Sequence, residues 1–329
     1  MGRILVTGGA GFIGSHLARR LFERGDSVVV LDNLDPYYDV AIKRRNLANL
    51  EDIAGGRLTW IEGDIRDASI CGEALQGVDG VIHLAALAGV RPSLAEPSRY
   101  MDVNVRGTQV LLDAWRDQAD AGRIGRTVPF VFGSSSSVYG GNEKVPFSEE
   151  DAVDEPISPY ASSKRAGELL AFTFHHLTES PVACLRFFTV YGPGQRPEMA
   201  IHKFCRLIVR GEPLPFYGDG STRRDYTFVS DIIDGVVSAL DRAKGYRIYN
   251  LGGAATTTLA ELVQLLESAL GRTAALDRQP EQPGDVEKTH ADVRRAQDEL
   301  GYVCKVPIAE GLRRFVDWYS AEHQAGRLP

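Results

Sequence analysis

The sequence predicts an α/β fold: a doubly wound parallel sheet of the Rossmann type with a smaller, interleaved C-terminal α/β lobe. Two observations support this prediction. Short apolar runs alternate with helical patterns as far as Phe188, which is typical of a parallel sheet covered by helices on both faces. After Tyr191 the pattern changes, because polar and glycine-rich loops separate the helices. We expect a late strand, Tyr246 to Leu251, to rejoin the main sheet, so that the two units interleave.

The elements are predicted from hydrophobic periodicity and from the residues that end each run. The predicted strands of the main sheet are Arg3 to Thr7, Ser27 to Leu31, Leu58 to Ile61, Gly80 to Ala86, Pro129 to Gly133 and Val182 to Phe188. The helices between them are Ser15 to Arg24, Val40 to Leu50, Pro97 to Gln118 and Tyr160 to Leu177. Later helices are predicted at Met199 to Val209, Phe228 to Ala243, Leu259 to Leu270 and Ala291 to Leu300.

The composition limits the possible functions. The chain has 329 residues, 43% hydrophobic and 25% charged, as in an ordinary globular protein. Its net charge of −7 argues against nucleic-acid binding and fits a cytoplasmic enzyme. No apolar run is long enough for a membrane span or a signal peptide. The four cysteines are scattered and form no CxxC pair, so we expect neither a disulfide framework nor a metal site.

A glycine-rich turn joins the first predicted strand to the first helix. Gly8, Gly11 and Gly14 have a spacing that suits a tight turn, close approach of a pyrophosphate and close helix packing, and Phe12 and Ile13 lie within it. Phosphates then meet free N–H groups at the start of the helix.

The second predicted strand ends at Asp32, followed by Asn33. An acid at this point accepts hydrogen bonds from the ribose hydroxyls and repels a 2′-phosphate, which favours NAD over NADP. Lys43, Arg44 and Arg45 could in principle accept a 2′-phosphate, but we expect them on a solvated helix face.

Further cofactor contacts are expected after the third and fourth strands. Asp64 and Ile65 are placed to cover the adenine, and the short side chains near Leu84, Ala85 and Ala86 would let the ribose and nicotinamide lie against the backbone. The predicted NAD-binding domain spans residues 1–187 and about 228–255. The predicted substrate lobe spans residues 188–227 and about 256–329.

Tyr160 and Lys164 lie one helical turn apart at the start of a predicted helix. A free phenol has a pKa of about 10 and is a poor base at neutral pH, and a neighbouring ammonium lowers that pKa. Such a pair is usually found on a protein surface, so its significance depends on the rest of the chain. Ser134 to Ser137 follow the fifth strand, at the sheet edge where ligands bind in such folds.

Together these motifs resemble the extended short-chain dehydrogenase/reductase superfamily, nucleotide-sugar branch. The resemblance rests on the glycine turn, Asp32, the serine run, the Tyr160 and Lys164 pair and the segment Arg224-Asp225-Tyr226. Within the branch the chain is similar to UDP-glucuronate 4-epimerases. The similar stretches are Phe187 to Pro193, Arg196 to Ala200, Gly218 to Tyr226 and Gln282 to Val286.

Two departures from other members of the branch bear on the reaction. Galactose-type epimerases usually carry Asn where this chain has Thr189. Sugar dehydratases of the branch carry Asp-Glu, and the related decarboxylases Glu, where this chain has Ser136 and Ser137. Elimination needs those carboxyl groups, so the resemblance implies an epimerase.

The resemblance implies a mechanism and a set of contacts. Tyr160 would take the proton of the sugar 4-hydroxyl, Lys164 would lower the Tyr160 pKa and bind the nicotinamide ribose, and Ser135 would bond O4, with its two neighbours as alternatives. The substrate carboxylate would be held by Arg196, Thr189, Ser136 and Ser137. The nucleotide would be held by Phe216 or Tyr217 at the uracil, Arg224 at the diphosphate and Asp285 at the ribose.

Alternatives remain open at this point. They are a UDP-glucose or UDP-N-acetylhexosamine 4-epimerase, a UDP-glucuronate decarboxylase and a non-catalytic NAD-binding protein. The helices Pro97 to Gln118 and Tyr160 to Leu177 resemble the pair through which members of the superfamily dimerise, which implies a homodimer.

Overall fold

A computed structural model describes residues 1–280 and 288–328. The strands are β1 (Arg3–Thr7), β2 (Ser27–Asp32), β3 (Leu58–Glu62), β4 (Gly80–His83), β5 (Phe130–Ser135), β6 (Val182–Phe187), β7 (Thr189–Tyr191), β8 (Leu214–Tyr217), β9 (Arg223–Arg224), β10 (Tyr226–Phe228), β11 (Tyr246–Leu251), β12 (Thr257–Thr258) and β13 (Leu276–Gln279). The helices are α1 (Phe12–Arg24), α2 (Val40–Ala54), α3 (Ala68–Ala74), α4 (Val90–Ala95), α5 (Pro97–Tyr100), α6 (Gly107–Asp120), α7 (Pro159–Thr178), α8 (Ala200–Arg210), α9 (Val229–Arg242), α10 (Leu259–Leu270), α11 (Arg294–Leu300) and α12 (Ile308–Gln324).

The main sheet has seven parallel strands in the order β11-β6-β5-β4-β1-β2-β3. Strand order reverses between β1 and β4, which is where a doubly wound sheet opens a crevice for a ligand. The predicted fold class is confirmed. The late strand also rejoins the sheet as predicted, because β11 pairs with β6 from Tyr246 opposite Val182 to Leu251 opposite Phe187.

Three short strand pairs lie outside the main sheet: β7 with β10, β8 with β13, and β9 with β12. The sequence analysis predicted none of these six strands, because strands of two to four residues are too short to show periodicity. One hydrophobic core runs from a face of the main sheet into this region, and a second core covers the opposite face. The C-terminal region therefore packs directly on the sheet.

Several helical regions differ from the sequence analysis. The short helices α3 and α4 were not predicted, and neither was α12, although Leu312, Phe315, Val316 and Tyr319 recur at helical spacing and are buried. The helix predicted at Pro97 to Gln118 is interrupted, because Met101–Arg106 forms a π-helical turn between α5 and α6. Within the described residues, we find no helix with the length and apolar character needed to cross a membrane.

The π-helical turn carries the buried Asn104. Its side-chain oxygen accepts from the N–H of Leu87, and its amide donates to the carbonyl of Leu87 and to Ser163 Oγ, at distances of 2.8, 2.9 and 2.9 Å. The wide turn thus bridges the segment after β4 and the helix that carries Tyr160. π-turns of this kind are frequent at functional sites.

Candidate active site

The carboxyl ends of the central strands open into one cavity, which extends from the glycine turn to the segment after β7. Among its lining residues are these predicted site residues: Gly8, Gly11, Phe12, Ile13, Gly14, Asp32, Asn33, Asp64, Ile65, Leu84, Ala85, Ala86, Ser135, Ser136, Ser137, Tyr160, Lys164, Thr189 and Arg196. The predicted Phe216, Tyr217 and Arg224 are not among them, and Asp285 lies outside the described residues.

The glycine turn packs too tightly for side chains. Gly8 has φ +69°, and a Cβ there would lie 2.8 Å from the backbone nitrogen of Ala85. A Cβ on Gly14 would lie 2.2 Å from the carbonyl oxygen of Gly8. Helix α1 begins directly after Gly11 with no side-chain cap, so its first N–H groups face the cavity. This cradle fits the pyrophosphate of a dinucleotide.

Asp32 is buried and held in place by several donors. Its carboxylate accepts from the N–H groups of Ala10 and Leu34 at 3.2 and 2.9 Å and pairs with Lys43 Nζ at 3.3 Å. Lys43 was expected on a solvated face, and this expectation is wrong, since the residue is 8% exposed. Its long side chain reaches back over the ring of Tyr38, at 5.4 Å, to neutralise the buried acid.

Asp64 and Asn33 form a polar rim beside Asp32. Asn33 donates to Asp64 at 2.8 Å, and Arg66 makes two bonds to the same carboxylate at 2.9 and 2.8 Å. The hydrogen bonds from Arg66 lower the pKa of Asp64 to about 2. The carboxylate is therefore ionised and oriented at neutral pH.

Helix α7 places Tyr160 and Lys164 against the sheet. Ser158 caps the helix by accepting from the N–H of Ala161, and Pro159 occupies the first turn, where its missing N–H costs nothing. Lys164 donates from Nζ to the carbonyl of Gly133 at 2.7 Å. Burial lowers the pKa of Lys164 to about 8, and the charge of Glu168 opposes that shift.

The pKa of Tyr160 responds to several neighbours. Burial raises the pKa of Tyr160, and a hydrogen bond with Ser135 and the charge of Arg196 act in the opposite direction. Lys164 directs its ammonium at the Gly133 carbonyl, and its effect on the Tyr160 pKa stays a prediction. The loop after β7 thus brings a positive charge to the phenol that the sequence analysis did not expect.

A buried ion pair supports this helix and was not predicted. Glu168, one turn after Lys164, is fully buried and accepts two bonds from Arg186 on β6, at 2.8 and 2.9 Å. Ser134, next to Ser135, donates to the same carboxylate at 2.7 Å. The two residues lie on different elements, so no spacing in the sequence indicates this contact.

Arg196 lines the cavity from the loop between β7 and α8, outside the main sheet. Its guanidinium stacks over the ring of Tyr37 at 5.5 Å and lies 3.2 Å from a carboxylate oxygen of Glu198. Its side chain is 19% exposed, so it is not a free loop arginine. Tyr37, which the sequence analysis missed, is fixed by donating to the carbonyl of Ala88 at 2.6 Å.

With this geometry in place, comparison with known proteins identifies the family. The family model described as GDP-mannose 4,6 dehydratase matches residues 5–315. The chain belongs to the NAD-dependent epimerase/dehydratase family. A probable UDP-glucuronate 4-epimerase of Rhizobium meliloti is 37% identical over an alignment that covers 98% of each chain.

Solved structures of the family superpose closely on this chain. A UDP-glucuronic acid 4-epimerase of Bacillus cereus, in complex with UDP-glucuronic acid and NAD, is 34% identical with a TM-score of 0.88, covering 97% of this chain and 99% of that one. The dTDP-glucose 4,6-dehydratase DesIV of Streptomyces venezuelae, with NAD and TYD bound, is 36% identical with a TM-score of 0.88 over 98% of each chain.

These similarities confirm the predicted family and agree with NAD as the predicted cofactor. They define the chain as an NAD-dependent nucleotide-sugar epimerase/dehydratase. Epimerases and a dehydratase are similar to it at comparable identity, so the comparisons leave the reaction at this coarser level.

The three described residues predicted to contact the nucleotide have different surroundings. Phe216 is 3% exposed and packs under Arg278 at 5.1 Å, so its assignment as a uracil contact is wrong and it is a core residue. Tyr217 is partly exposed, with Arg91 lying 5.9 Å from its ring. Arg224 lies on β9 and donates to the carbonyl of Arg223 at 2.9 Å.

Proposed function

We propose that this family member is a UDP-glucuronate 4-epimerase, which forms UDP-galacturonate through a 4-keto intermediate. One observation carries the proposal: Arg196 lines the cavity close enough to Tyr160 for its charge to lower the pKa of the phenol. In glucuronate the carboxylate is attached to C5, next to the reacting C4. A cation beside the catalytic phenol is therefore placed where the substrate carries its own negative charge.

The proton transfer in this proposal belongs to Tyr160. Its phenolate removes the proton of the 4-hydroxyl, and Ser135, which lines the same cavity, holds the sugar oxygen. Bound NAD supplies reversible hydride transfer at C4. Lys164, held by the Gly133 carbonyl, would bind the ribose of the cofactor and place a positive charge beside it.

The keto intermediate of a glucuronate is a β-keto acid, which loses CO₂ when the bond to the carboxylate aligns with the carbonyl π system. An epimerase must hold the carboxylate out of that alignment. Arg196 can bind it through two parallel N–H bonds, and the hydroxyls of Thr189, Ser136 and Ser137 line the same cavity. This arrangement favours epimerisation over decarboxylation.

The main competing proposal is a 4,6-dehydratase, since the similar protein DesIV is named as one. That elimination needs carboxyl groups near C5 and C6 of the sugar. The acids among the described lining residues are Asp32, Asp35 and Asp64. Asp32 ends β2 and Asp64 follows β3, where the adenosine end of NAD is predicted to bind. Serines occupy positions 136 and 137, which disfavours the dehydratase.

A neutral UDP-sugar remains the second candidate substrate, for a 4-epimerase of UDP-glucose or a UDP-N-acetylhexosamine. The experiment incubates the purified enzyme with each UDP-sugar and follows the C4 epimer by NMR. We expect turnover of UDP-glucuronate to exceed that of the neutral sugars. Equal or greater turnover of UDP-glucose would contradict the proposal.

Substitution of Arg196, which we call the carboxylate clamp, sharpens this test. Arg196→Ala should reduce kcat/KM for UDP-glucuronate about 100-fold, because a charge-assisted bidentate contact is lost, while NAD affinity stays unchanged. Arg313→Ala is the matched control, since that side chain is 65% exposed and does not line the cavity. Wild-type kinetics in Arg196→Ala would refute the role of the arginine.

We further propose that residues 188–227 and 256–329 form the substrate lobe, with Arg224 at the diphosphate and Tyr217 near the uracil. Support comes from their position on β8 and β9, outside the main sheet and on the side of the Arg196 loop. Titration of UDP against Arg224→Ala should show weaker binding of UDP with unchanged binding of NAD.

We also propose a homodimer, supported by apolar side chains on the outer face of α7. Leu169, Phe172 and Leu177 are 51%, 50% and 70% exposed, and Met101 on the neighbouring π-turn is 38% exposed. A second copy of the chain would cover them. Light scattering should give a dimer, and Phe172→Glu should give a monomer, whereas the control Leu276→Glu, at a site 39% exposed on β13, should remain dimeric.

A further inference from the structure

We propose that His16 and His202 position the loop that carries Arg196, and thereby set the preference of the site for a substrate carboxylate and suppress loss of CO₂ from the keto intermediate. This inference rests on the proposed function. Neither histidine lines the cavity, so both act through the loop.

His16 ties the loop to the cofactor side of the site. It lies on α1, two residues after Gly14, and its Nε2 is 2.8 Å from the carbonyl oxygen of Pro193. The ring of Phe12 contacts it edge-on at 5.6 Å. Burial lowers the pKa of His16, so the imidazole is neutral at neutral pH. Since a carbonyl only accepts, the single ring proton must lie on Nε2.

His202 ties the same loop to the C-terminal region. It lies on α8, is 2% exposed, and its Nδ1 is 2.7 Å from the carbonyl oxygen of Gln195. Three aromatic rings of α12 surround the imidazole at 5.5 to 5.8 Å: Phe315, Trp318 and Tyr319. Burial lowers the pKa of His202 as well, so it too is a neutral, one-proton donor.

The two anchored carbonyls belong to Pro193 and Gln195, which shortly precede Arg196 in the chain. Between them Gly194 adopts φ +77°, and the N–H of Gln195 donates to the carbonyl of Gly192 at 3.0 Å, which closes a tight turn. The side chain of Gln195 adds a third tie by donating to the carbonyl of Val190 at 3.0 Å.

The loop is thus fixed from two separate parts of the molecule. One anchor belongs to the helix that starts the cofactor cradle, and the other belongs to the helical core beyond β7. A guanidinium must meet a carboxylate within a fraction of an ångström to bind it through two bonds, so displacement of the loop weakens the clamp first. Displacement of the loop also withdraws the charge of Arg196 from Tyr160, but that change lowers kcat for every sugar alike, whereas KM for UDP-glucuronate depends on the clamp.

A weakened clamp has a defined chemical consequence. When the carboxylate of the 4-keto intermediate rotates into alignment, the C5–C6 bond breaks and CO₂ leaves. The electron pair forms the enolate with the C4 ketone, which then takes a proton from solvent at C5. Each such turnover leaves a 4-keto pentose and a reduced cofactor, so both products can be measured.

The experiment compares substitutions that remove the donor with substitutions that retain it. His16→Phe and His202→Phe keep an aromatic ring and lose the N–H, whereas His16→Gln and His202→Asn place an amide N–H near the lost nitrogen. We measure KM for UDP-glucuronate and for UDP-glucose, the CO₂ released per turnover, and NAD affinity.

We expect the Phe variants to raise KM for UDP-glucuronate about tenfold, the effect of one lost hydrogen bond of about 1.4 kcal/mol. KM for UDP-glucose and NAD affinity should stay unchanged, CO₂ release should increase, and the amide variants should return KM to within about threefold of the parent. A purely structural role would instead affect both sugars equally.

The outcomes separate this inference from the proposed function. A parent enzyme that does not turn over UDP-glucuronate refutes the proposed function. A parent that does, together with Phe variants of unchanged KM and CO₂ release, refutes only the role of the histidines. His16 is partly exposed, so His16→Phe decides the question even where His202→Phe fails to fold.

Discussion

The two walls of the cavity are built in different ways. On the sheet wall, each contributing residue follows a strand end or opens a helix, so short contiguous motifs such as Gly8 to Gly14 determine its position. On the other wall, Arg196 lies on a loop held by His16, which is distant from it in the chain, and by His202, which is near it in the chain but packs against the distant helix α12. The sheet wall is thus local in sequence, whereas the position of the proposed carboxylate clamp depends on long-range packing.

The strongest test of this comparison is loss of the proposed base on the sheet wall. Tyr160→Phe should lower kcat by about 10³- to 10⁴-fold, because the proton acceptor is removed while the ring and the packing stay. NAD binding should be retained. Tyr100→Phe is the matched control, since its ring contacts Tyr160 at 6.2 Å and its hydroxyl donates to the Ala88 carbonyl outside the proposed proton transfer. A Tyr160→Phe enzyme within tenfold of the parent would contradict the assignment.

The second test concerns what supports the sheet wall. Glu168→Gln should lower the free energy of unfolding by about 3 to 5 kcal/mol, because it leaves the buried Arg186 without its counter-charge. Urea denaturation measures the change. Arg165→Gln serves as the control, since Arg165 touches the same carboxylate at 3.2 Å from the surface and should cost less than about 1 kcal/mol. Similar losses of unfolding free energy in both variants would show that the buried ion pair stabilises the fold no more than the partly exposed one.

A third test addresses the C-terminal region by replacing one carboxylate oxygen of Asp225 with an amide NH2 group. The Asp225 carboxylate accepts from the N–H groups of Gly253 and Ala291, at 2.5 and 3.1 Å, on its two oxygens. Asp225→Asn replaces one acceptor with a donor, so a buried N–H faces another N–H, and the free energy of unfolding should fall by about 2 to 3 kcal/mol. Thr227→Val, which removes one 3.2 Å bond to the same carboxylate, should cost less. No change in Asp225→Asn would mean that the region tolerates the unpaired donor.

The smallest expected effect has the opposite sign. Lys164→Met should raise the free energy of unfolding at pH 7 by about 2 kcal/mol while activity is lost, since it removes a buried ammonium at the cost of one hydrogen bond. The folded pKa of Lys164 is about 8, below that of the unfolded chain. The parent should therefore gain stability from about pH 8 to about pH 10.4, and the variant should lack that gain. A destabilised Lys164→Met protein would show that the ammonium stabilises the fold.

The sequence predicted the sheet wall well because its signals are contiguous. Strand, glycine turn, helix and terminal acid fall in order, and the structure places Gly8, Asp32 and Tyr160 around one cavity. The errors concern side chains whose partners lie elsewhere in the chain. Lys43 is buried because Asp32 faces it, and Phe216 is buried because β13 and its Arg278 cover it.

The direction of a side chain is the second property that the sequence could not predict. Spacing placed Lys164 one turn from Tyr160, but only the fold shows its ammonium bonded to a strand carbonyl and the phenol under the influence of Arg196. Tyr37 and the Glu168 to Arg186 pair were missed for the same reason, because nothing near them in sequence identifies their partners.

The π-helical turn Met101–Arg106 makes the length of this helix significant. A π turn holds one residue more than an α turn, so deletion of a single residue here would restore regular winding while α6 keeps its register. Leu111 and Trp115 would then stay in the core, but the backbone of the turn would narrow, and Asn104 would lose Leu87 and Ser163. One extra residue in this helix therefore serves the polar contact with α7 and not the packing of α6.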